Sequence, residues 1–332
     1  MAESDAVPGT RQITRRGLLP AVTVHAVRAL AVEVARADGV EAFGEQTLLN
    51  LLDPHVAVVH VLVTDAGAEP GVEPGVEPGA QPAGVVGYAQ VDVSVTGTST
   101  AELAVAPPAR GRGLGAALLT AVLDVARAHG VERPAIWAHG NLPAATALAT
   151  SAGMAVTREL WQMSLDLPNR DLADRPMADR PMADPAPVPD GVVLRPFVVD
   201  QDEAAWLTVN ARAFADHPEQ GRLTLGDLAA REREPWFSAD DLLLAERSGR
   251  LLASVWMKVE PGSDTGELYV LGVDPDAQGG GLGRLLTAAT VDHLAAKGLR
   301  RVVLYTSPQN AGAVRTYVAA GFETSRVDVR YR

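Results

Sequence analysis

Residues suited to proton transfer and to anion binding occur close together in the C-terminal part of the sequence. Glu267 begins a β-type run, and Tyr317 lies in a short helical stretch after Asn310. Between them, residues 278–283 bring consecutive small residues to a point where a strand passes into a helix. Backbone N–H groups at such a helix end suit a phosphate or pyrophosphate, and a carboxylate and a phenol can exchange protons. The pattern indicates acid–base chemistry beside an anionic ligand.

The glycine-rich run occurs twice, 168 positions apart. The two copies read Arg110-Gly111-Arg112-Gly113-Leu114-Gly115 and Gln278-Gly279-Gly280-Gly281-Leu282-Gly283. Further pairs match at the same offset or within one residue of it, namely Pro107 and Pro275, Gly130 and Gly298, Gly153 and Gly321, and Asn141 and Asn310. An ordered series with nearly constant spacing indicates a duplicated domain.

Each copy predicts the same order of elements. A strand (101–106; 267–273) leads through the glycines into a helix (114–128; 282–296), which ends at a glycine, and a second strand (135–138; 302–306) precedes a short helix. The Val-rich runs 56–63 and 84–95 also predict strands. Strands alternating with helices predict an α/β fold class, with an α+β mixed sheet in each copy.

Two stretches rich in Pro and Gly interrupt these patterns. The near-repeat of Glu-Pro-Gly at 69–82 predicts a long solvated loop that expands a hairpin. The doubled Asp-Arg-Pro-Met-Ala within 166–190 predicts a stiff linker. We therefore expect an N-terminal domain at 1–165, a linker at 166–190 and a C-terminal domain at 191–332.

Composition restricts the function further. The 332 residues carry 41 acidic and 29 basic side chains, a formal charge of -12, which disfavours non-specific binding to nucleic acid or anionic lipid. The absence of cysteine excludes disulfides, thiol nucleophiles and thiolate metal sites. Charged residues interrupt the apolar region that an export signal would need after Arg15 and Arg16, and apolar runs are too short to span a membrane. We expect a cytoplasmic monomer without a metal, a membrane or a nucleic-acid partner.

The form Gln/Arg-x-x-Gly-x-Gly/Ala at a strand-to-helix junction, followed by a strand and an Asn-initiated helix ending in Gly-Phe, resembles the GCN5-related N-acetyltransferase (GNAT) family. The resemblance covers both copies and implies two tandem GNAT domains that bind acetyl-CoA as co-substrate. In the second copy it implies cofactor contacts at Leu271, Gly272, Val273, Gln278, Gly279, Gly280, Gly281, Leu282, Gly283, Arg284, Asn310, Ala311, Gly312, Ala313, Val314 and Arg315. In the first copy it implies contacts at Leu103, Ala104, Val105, Arg110, Gly111, Arg112, Gly113, Leu114 and Gly115.

The two copies differ in residues able to move protons. Strict alternation places Glu267, Tyr269, Leu271 and Val273 on one strand face, so Glu267 can act as base, through water, on an α-ammonium. Tyr317 matches the tyrosine that the family uses as general acid. At the offset of 168 these residues correspond to Ser99 and the neighbourhood of Leu148, and Glu102 falls on the other strand face. We expect direct acetyl transfer in the second copy and a non-catalytic first copy.

Longer stretches of the second copy narrow the resemblance to a tandem actinobacterial branch of the family. They include His217-Pro218-Glu219-Gln220-Gly221, the run 266–275 and Ala313-Val314-Arg315-Thr316-Tyr317. This branch acetylates the cysteinyl amine of desacetylmycothiol, a cysteine amide of glucosaminyl-inositol. The resemblance implies that this small-molecule acceptor is bound by Glu45, Glu219, Lys258, Glu267 and Tyr305. Gly280 departs from the pattern, because the family usually has arginine there.

Two other functions remain open on the sequence. A tandem acetyltransferase for another amine, such as an aminoglycoside or a protein N-terminus, would keep the mechanism and change the acceptor pocket. A non-catalytic CoA-binding sensor would use both copies as scaffolds, although Glu267 and Tyr317 argue against it.

Overall fold

A computed structural model describes residues 12–64, 84–167, 188–215 and 220–332 of the chain. The chain divides into two compact units, Met1–Glu159 together with Val327–Arg332, and Leu160–Arg326. The assignment of the last six residues to the first unit has no signature in the sequence. The repeat at 69–82 and nearly all of the predicted linker at 166–190 lie outside the described residues, and the predicted domain boundaries stay a prediction.

The elements up to residue 166 are the strands β1 (Gln12–Arg16), β2 (Val58–Thr64), β3 (Val85–Asp92), β4 (Thr100–Val105), β5 (Ala135–Ala138) and β6 (Val156–Asp166), and the helices α1 (Ala21–Asp38), α2 (Glu45–Leu49), α3 (Leu114–Ala128) and α4 (Pro143–Ser151). From residue 192 they are the strands β7 (Val192–Pro196), β8 (Leu242–Arg247), β9 (Arg250–Lys258), β10 (Thr265–Val273), β11 (Arg301–Thr306) and β12 (Glu323–Tyr331), and the helices α5 (Glu203–Ala213), α6 (Leu225–Glu232), α7 (Leu282–Ala296) and α8 (Ala311–Ala319).

The sheet of the first unit runs in the order β1-β2-β3-β4-β5, and residues 329–331 of β12 pair with β5. Its pairs are antiparallel except β4 with β5, which are parallel and pair only at Thr100–Ala135 and Ala101–Ile136. One face packs against α3 through Leu118 and Val122, and the other packs against α1 through Val27 and neighbouring residues. The mixed sheet with helices on both faces confirms the predicted fold class.

The sheet of the second unit runs in the order β7-β8-β9-β10-β11, followed by residues 161–166 of β6. Its parallel pair is β10 with β11, and their pairing ends at Leu268–Leu304 while β10 continues to Val273. One face packs against α7 and α8 and is called the α7 face; the opposite face, against α5 and α6, is called the α5 face. Each unit therefore has one place where two parallel neighbours stop pairing.

A β-bulge in β10 overturns the expected alternation of Glu267, Tyr269, Leu271 and Val273. The register against β9 shifts between Leu268 and Val270, so Tyr269 is an extra residue in this strand. Leu271 and Val273 pack with the α7 core, whereas Tyr269 packs with the α5 core. Glu267 lies between two residues that face α7, because Leu268 belongs to that core and a Cβ on Gly266 would meet Leu294 and Leu299. Glu267 and Tyr269 therefore lie on the α5 face, opposite Leu271 and Val273.

Candidate active site

The glycine-rich turn of the second unit has a backbone conformation that residues other than glycine adopt only with strain. Gly279 and Gly281 have φ values of 79° and 84°, and Gly281 is the N-cap of α7, where no described side chain caps the helix. Asp274, just before the turn, holds it in place. Its carboxylate accepts a hydrogen bond from Asp276 N at 2.9 Å and forms an ion pair with Arg212 at 2.9 Å. This fixed helix start can direct N–H groups at a phosphate.

The turn of the first unit has the same geometry. Gly111 and Gly113 have φ values of 70° and 80°, and Gly113 is the N-cap of α3. Arg110 Nε donates to Val105 O at 3.0 Å, as Gln278 Nε2 does to Val273 O at 3.3 Å in the second unit. The Arg110 guanidinium also forms two 2.7 Å hydrogen bonds with Asp38 at the end of α1. Because these N–H groups already bind Asp38, fewer of them are left for the phosphate that Arg110 is predicted to bind.

A cavity of about 400 Å³ lies beside the turn of the second unit. Gln278 and Gly280 line it from the turn, and Arg247 and Arg250 line it from the β8–β9 hairpin. Arg250 is partly balanced by Asp276, at 3.5 Å. A basic recess next to a glycine turn suits a phosphate-bearing ligand.

The predicted acceptor residues of the second unit lie on one face of three adjacent strands. Lys258 of β9 is paired with Glu267 of β10, which is paired in turn with Val303 of β11, two residues before Tyr305. Val302 and Leu304 face α7, so Tyr305 lies on the α5 face with Glu267 and Lys258. Cross-strand partners on one face are direct neighbours. The sheet therefore brings an ammonium, a carboxylate and a phenol together on the α5 face.

Tyr317 lies on the opposite, α7 side of the sheet. Its ring is only 7% exposed and packs in the α7 core, 6.1 Å from the ring of Phe322. Burial raises the pKa of Tyr317 to about 12, so the phenol keeps its proton at neutral pH. Asn310 fixes the start of α8 by accepting a hydrogen bond from Ala313 N at 3.2 Å. The predicted base and acid thus lie on different faces of the sheet.

The remaining predicted contacts occupy three segments of the second unit. Residues 271–273 close β10, the turn leads into α7, and residues 310–315 form the start of α8. In the first unit, 103–105 close β4, and 110–115 form the turn and the start of α3. Glu45 is the first residue of α2 in the first unit, and Glu219 lies outside the described residues.

Register identifies the counterparts of the acid and the base in the first unit. Val303 and Ala135 are equivalent at the offset of 168 and pair with Glu267 and Thr100, respectively. The bulge therefore makes Thr100 the counterpart of Glu267, instead of the expected Ser99. Tyr317 corresponds to Ala149 of α4, close to the expected Leu148. Neither counterpart can exchange protons as a carboxylate or a phenol does.

A buried acid–histidine cluster in the first unit has no signal in the sequence. His139 Nε2 lies 3.0 Å from Glu102 Oε1, and His139 Nδ1 lies 3.3 Å from Asp328 Oδ2. The carboxylates also accept backbone N–H groups, Glu102 from Gly44 at 2.8 Å and Asp328 from Gly140 at 2.7 Å. Burial opposes the charge of the imidazole, but the two carboxylates outweigh it and raise the pKa of His139 to about 9.

The cluster also corrects the expected orientation of Glu102. Ala101 packs with the α3 core and Ala104 with the α1 core, so Glu102 lies on the α1 side of β4. This is the side that corresponds to the α5 face of the second unit. Glu102 thus lies on the same face as Thr100, the counterpart of Glu267. The carboxylate of Glu102 is paired with the imidazolium of His139.

Among the described residues, no group of three or more His, Cys, Asp or Glu side chains is arranged to hold a metal ion. No helix in the described ranges is both long and apolar enough to cross a membrane.

Sequence comparison finds close relatives along nearly the whole chain. It is 48% identical to the mycothiol acetyltransferase of Cellulomonas flavigena, covering 99% of this chain and 90% of that protein. It is 42% identical to the mycothiol acetyltransferase of Streptomyces coelicolor, covering 100% of this chain and 99% of that protein. The chain therefore spans nine-tenths or more of the length of both relatives.

Solved structures share the fold at low identity. A GCN5-related N-acetyltransferase from Sphaerobacter thermophilus has a TM-score of 0.67 at 22% identity, covering 96% of this chain and 94% of that one. A tandem GNAT protein from the clavulanic acid biosynthesis pathway has a TM-score of 0.68 at 19% identity, covering 97% and 98%. The sequence profile of the acetyltransferase (GNAT) family matches residues 55–154 and 207–322, one stretch in each copy. The chain belongs to the acetyltransferase (GNAT) family, as a tandem member that carries the family fold twice.

Proposed function

We propose that this enzyme transfers the acetyl group of acetyl-CoA to the cysteinyl amine of desacetylmycothiol, giving mycothiol and CoA. The observation that carries the proposal is the shared face of Lys258, Glu267 and Tyr305, three of the residues expected to bind this acceptor. The mycothiol acetyltransferases at 41–48% identity support the choice of acceptor. We expect the reaction in the cytoplasm, by a monomer.

The α5 face offers the groups that this acceptor requires. The carboxylate of Glu267 can accept a proton from the α-ammonium through a water molecule. Because an α-amino group has a pKa near 8, only modest help from a base is needed to give the free amine at neutral pH. Lys258 and Tyr305 can donate hydrogen bonds to sugar and inositol hydroxyls. Tyr305 OH is held by Gln162 Nε2 at 2.7 Å and Arg326 Nη2 at 3.1 Å.

The other side of the sheet would hold the co-substrate. The N–H groups of the turn at 278–284 and the start of α7 would bind its pyrophosphate, and the unpaired edge of β10 at 271–273 would run beside its pantetheine arm. The protonated phenol of Tyr317 would supply a proton to the departing thiolate, and the co-substrate supplies the activated acetyl group. We propose that the amine attacks the thioester directly, without a covalent enzyme intermediate. The proposed base, Glu267, lies on one face of the sheet and the proposed acid, Tyr317, on the other, at the place where β10 and β11 stop pairing.

The first unit keeps the glycine turn but has Thr100 and Ala149 where the second has Glu267 and Tyr317. We therefore propose that it binds CoA weakly or structurally and does not catalyse transfer. Glu45 and Glu219 stay predicted acceptor ligands.

A steady-state assay of CoA release tests the proposal. The full chain is given acetyl-CoA with desacetylmycothiol, and in parallel with glucosamine, an aminoglycoside and a peptide with a free N-terminus. We expect turnover with desacetylmycothiol at a kcat/KM at least 100-fold above every other amine. Turnover with another amine alone would keep the acetyltransferase and discard this acceptor.

A further inference from the structure

An aromatic recess surrounds the ammonium of Lys258 on the α5 face. Lys258 is 9% exposed, and its Nζ lies 5.0 Å from the centroid of the Trp236 ring and 5.7 Å from that of Tyr269. Lys258 Nζ also lies 3.0 Å from Glu260 Oε1, on a side chain that is 59% exposed. A nearly buried ammonium requires compensation for lost hydration, and two aromatic faces within 6 Å supply part of it.

The two rings are themselves fixed by packing. They meet each other at 5.5 Å, and both pack on Trp256, at 5.6 Å for Trp236 and 5.8 Å for Tyr269. Trp256 is 1% exposed, and Tyr269 OH accepts a hydrogen bond from Arg231 Nε at 3.3 Å. The walls of the recess are therefore held by the core of the unit.

The bulge accounts for the position of one wall. Tyr269 is the extra residue of β10, and both it and Val270 pack on the α5 side. Tyr269 therefore lies on the same face of β10 as Glu267, two residues earlier. The recess places Lys258 beside the proposed base on the same face.

We propose that Trp236 and Tyr269 are positioning residues for acceptor recognition. They hold the Lys258 ammonium in one orientation beside Glu267, so that its N–H groups are directed at the hydroxyls of a polyol acceptor. The proposal rests on the function proposed above, because it assumes that Lys258 binds the acceptor. It assigns no contact with acetyl-CoA to either ring.

The first test compares Michaelis constants of full-chain variants with desacetylmycothiol. Trp236→Leu is expected to raise the acceptor KM about tenfold and leave the acetyl-CoA KM within twofold, whereas Trp236→Phe keeps a ring and most of the affinity. In a Lys258→Met background, Trp236→Leu should have no further effect. The matched control is Phe237→Leu, since Phe237 packs on Trp256 at 5.9 Å in the same core.

Equal increases in both Michaelis constants, additivity with Lys258→Met, or the same effect from Phe237→Leu would overturn the proposal and leave Trp236 as an ordinary core residue. A second measurement does not depend on the acceptor. Lys258 and Lys297 are the lysines of the sequence, so ¹³C-dimethylation gives two readily assigned side-chain resonances.

The Lys258 signal is expected upfield of the Lys297 signal because of the ring currents, and this difference should shrink in Trp236→Leu, where only the Tyr269 ring remains, and persist in full in Phe237→Leu. A Lys258 signal unaffected by Trp236→Leu would contradict the positioning role. If the wild-type protein fails to acetylate desacetylmycothiol but shows the ring-current shift, the acceptor assignment has failed while the aromatic recess stands.

Discussion

Glu267 and Lys258 are direct partners across strands β10 and β9, and one further pair, Leu268 with Met257, separates them from the bulge at Tyr269. Both lie on the α5 face, while the bulge turns the part of β10 that follows it so that Leu271 and Val273 face α7 and the buried Tyr317. A regular strand would have placed the proposed base and the predicted cofactor-contacting residues of β10 on one side of the sheet. One extra residue thus separates the face proposed for the acceptor from the face proposed for the co-substrate.

Removing the proposed base should slow the transfer step. We expect Glu267→Gln to lower kcat roughly 10²- to 10⁴-fold, the usual contribution of general base catalysis, with little change in the acetyl-CoA KM. The residual rate should rise with pH until the acceptor amine loses its own proton, near pH 8. The control is Glu323→Gln, an exposed carboxylate at the start of β12, and an unchanged kcat in Glu267→Gln would remove this residue from the mechanism.

Removing the proposed acid should lower kcat by a factor that does not depend on pH. Because burial raises the pKa of Tyr317 to about 12, its phenol stays protonated from pH 6 to 10. Tyr317→Phe should therefore lower kcat by a constant factor, on the order of 10²-fold, across that range. Tyr331→Phe removes a phenol of the first unit and should leave kcat unchanged. A loss in Tyr317→Phe confined to alkaline pH would contradict the assignment.

The two glycine turns allow a direct comparison of the units. Gly281 and Gly113 have φ values of 84° and 80°, so alanine at either costs a similar strain, about 1 kcal/mol. Gly281→Ala should raise the acetyl-CoA KM several-fold, and Gly113→Ala should leave it unchanged. Gly298→Ala, at φ 82° beyond the other end of α7, controls for strain within the second unit. A matching increase in Gly113→Ala would show that the first unit takes part in turnover.

An arginine at position 280 should strengthen cofactor binding. A Cβ on Gly280 would lie 3.4 Å from Ala277 O, so the turn has room for a side chain, and the equivalent residue of the first unit is Arg112. A charge-assisted hydrogen bond to phosphate is worth about 1.5 kcal/mol or more, so Gly280→Arg should lower the acetyl-CoA KM about tenfold. Gly280→Gln has no charge and should change it much less. An unchanged KM in the arginine variant would argue against pyrophosphate binding here.

The histidine cluster should make the first unit less stable at alkaline pH. The pKa of His139 lies at about 9 in the folded state and near 6.5 when unfolded, so its stabilisation is complete below pH 6.5 and is lost as pH rises to 9. The loss amounts to about 3 kcal/mol at most. Urea unfolding of the wild-type protein between pH 6.5 and 9.5 should show this decrease. A His139→Gln variant should show a flatter profile, and the same slope in both would contradict the role of the imidazole.

Much of the fold follows from local sequence patterns. Helices α3 and α7 and strand β5 have the predicted bounds, and Gly130 and Gly298 adopt the expected positive φ. Periodicity, glycine and the offset of 168 are local signals, because each depends on a residue and its chain neighbours. They determined the duplicated α/β architecture and the two turns, and the resemblance they carry led to the family.

Tertiary structure decided how these elements present their side chains. The bulge at Tyr269 depends on pairing with β9, so alternation along β10 alone placed Leu271 and Glu267 on one face and paired Glu267 with the wrong counterpart. The contact between His139 and Asp328 joins residues 189 positions apart, and the recess around Lys258 combines a strand residue with Trp236 from a loop. Such contacts depend on strand register and packing between distant segments, which residue types and spacing do not encode.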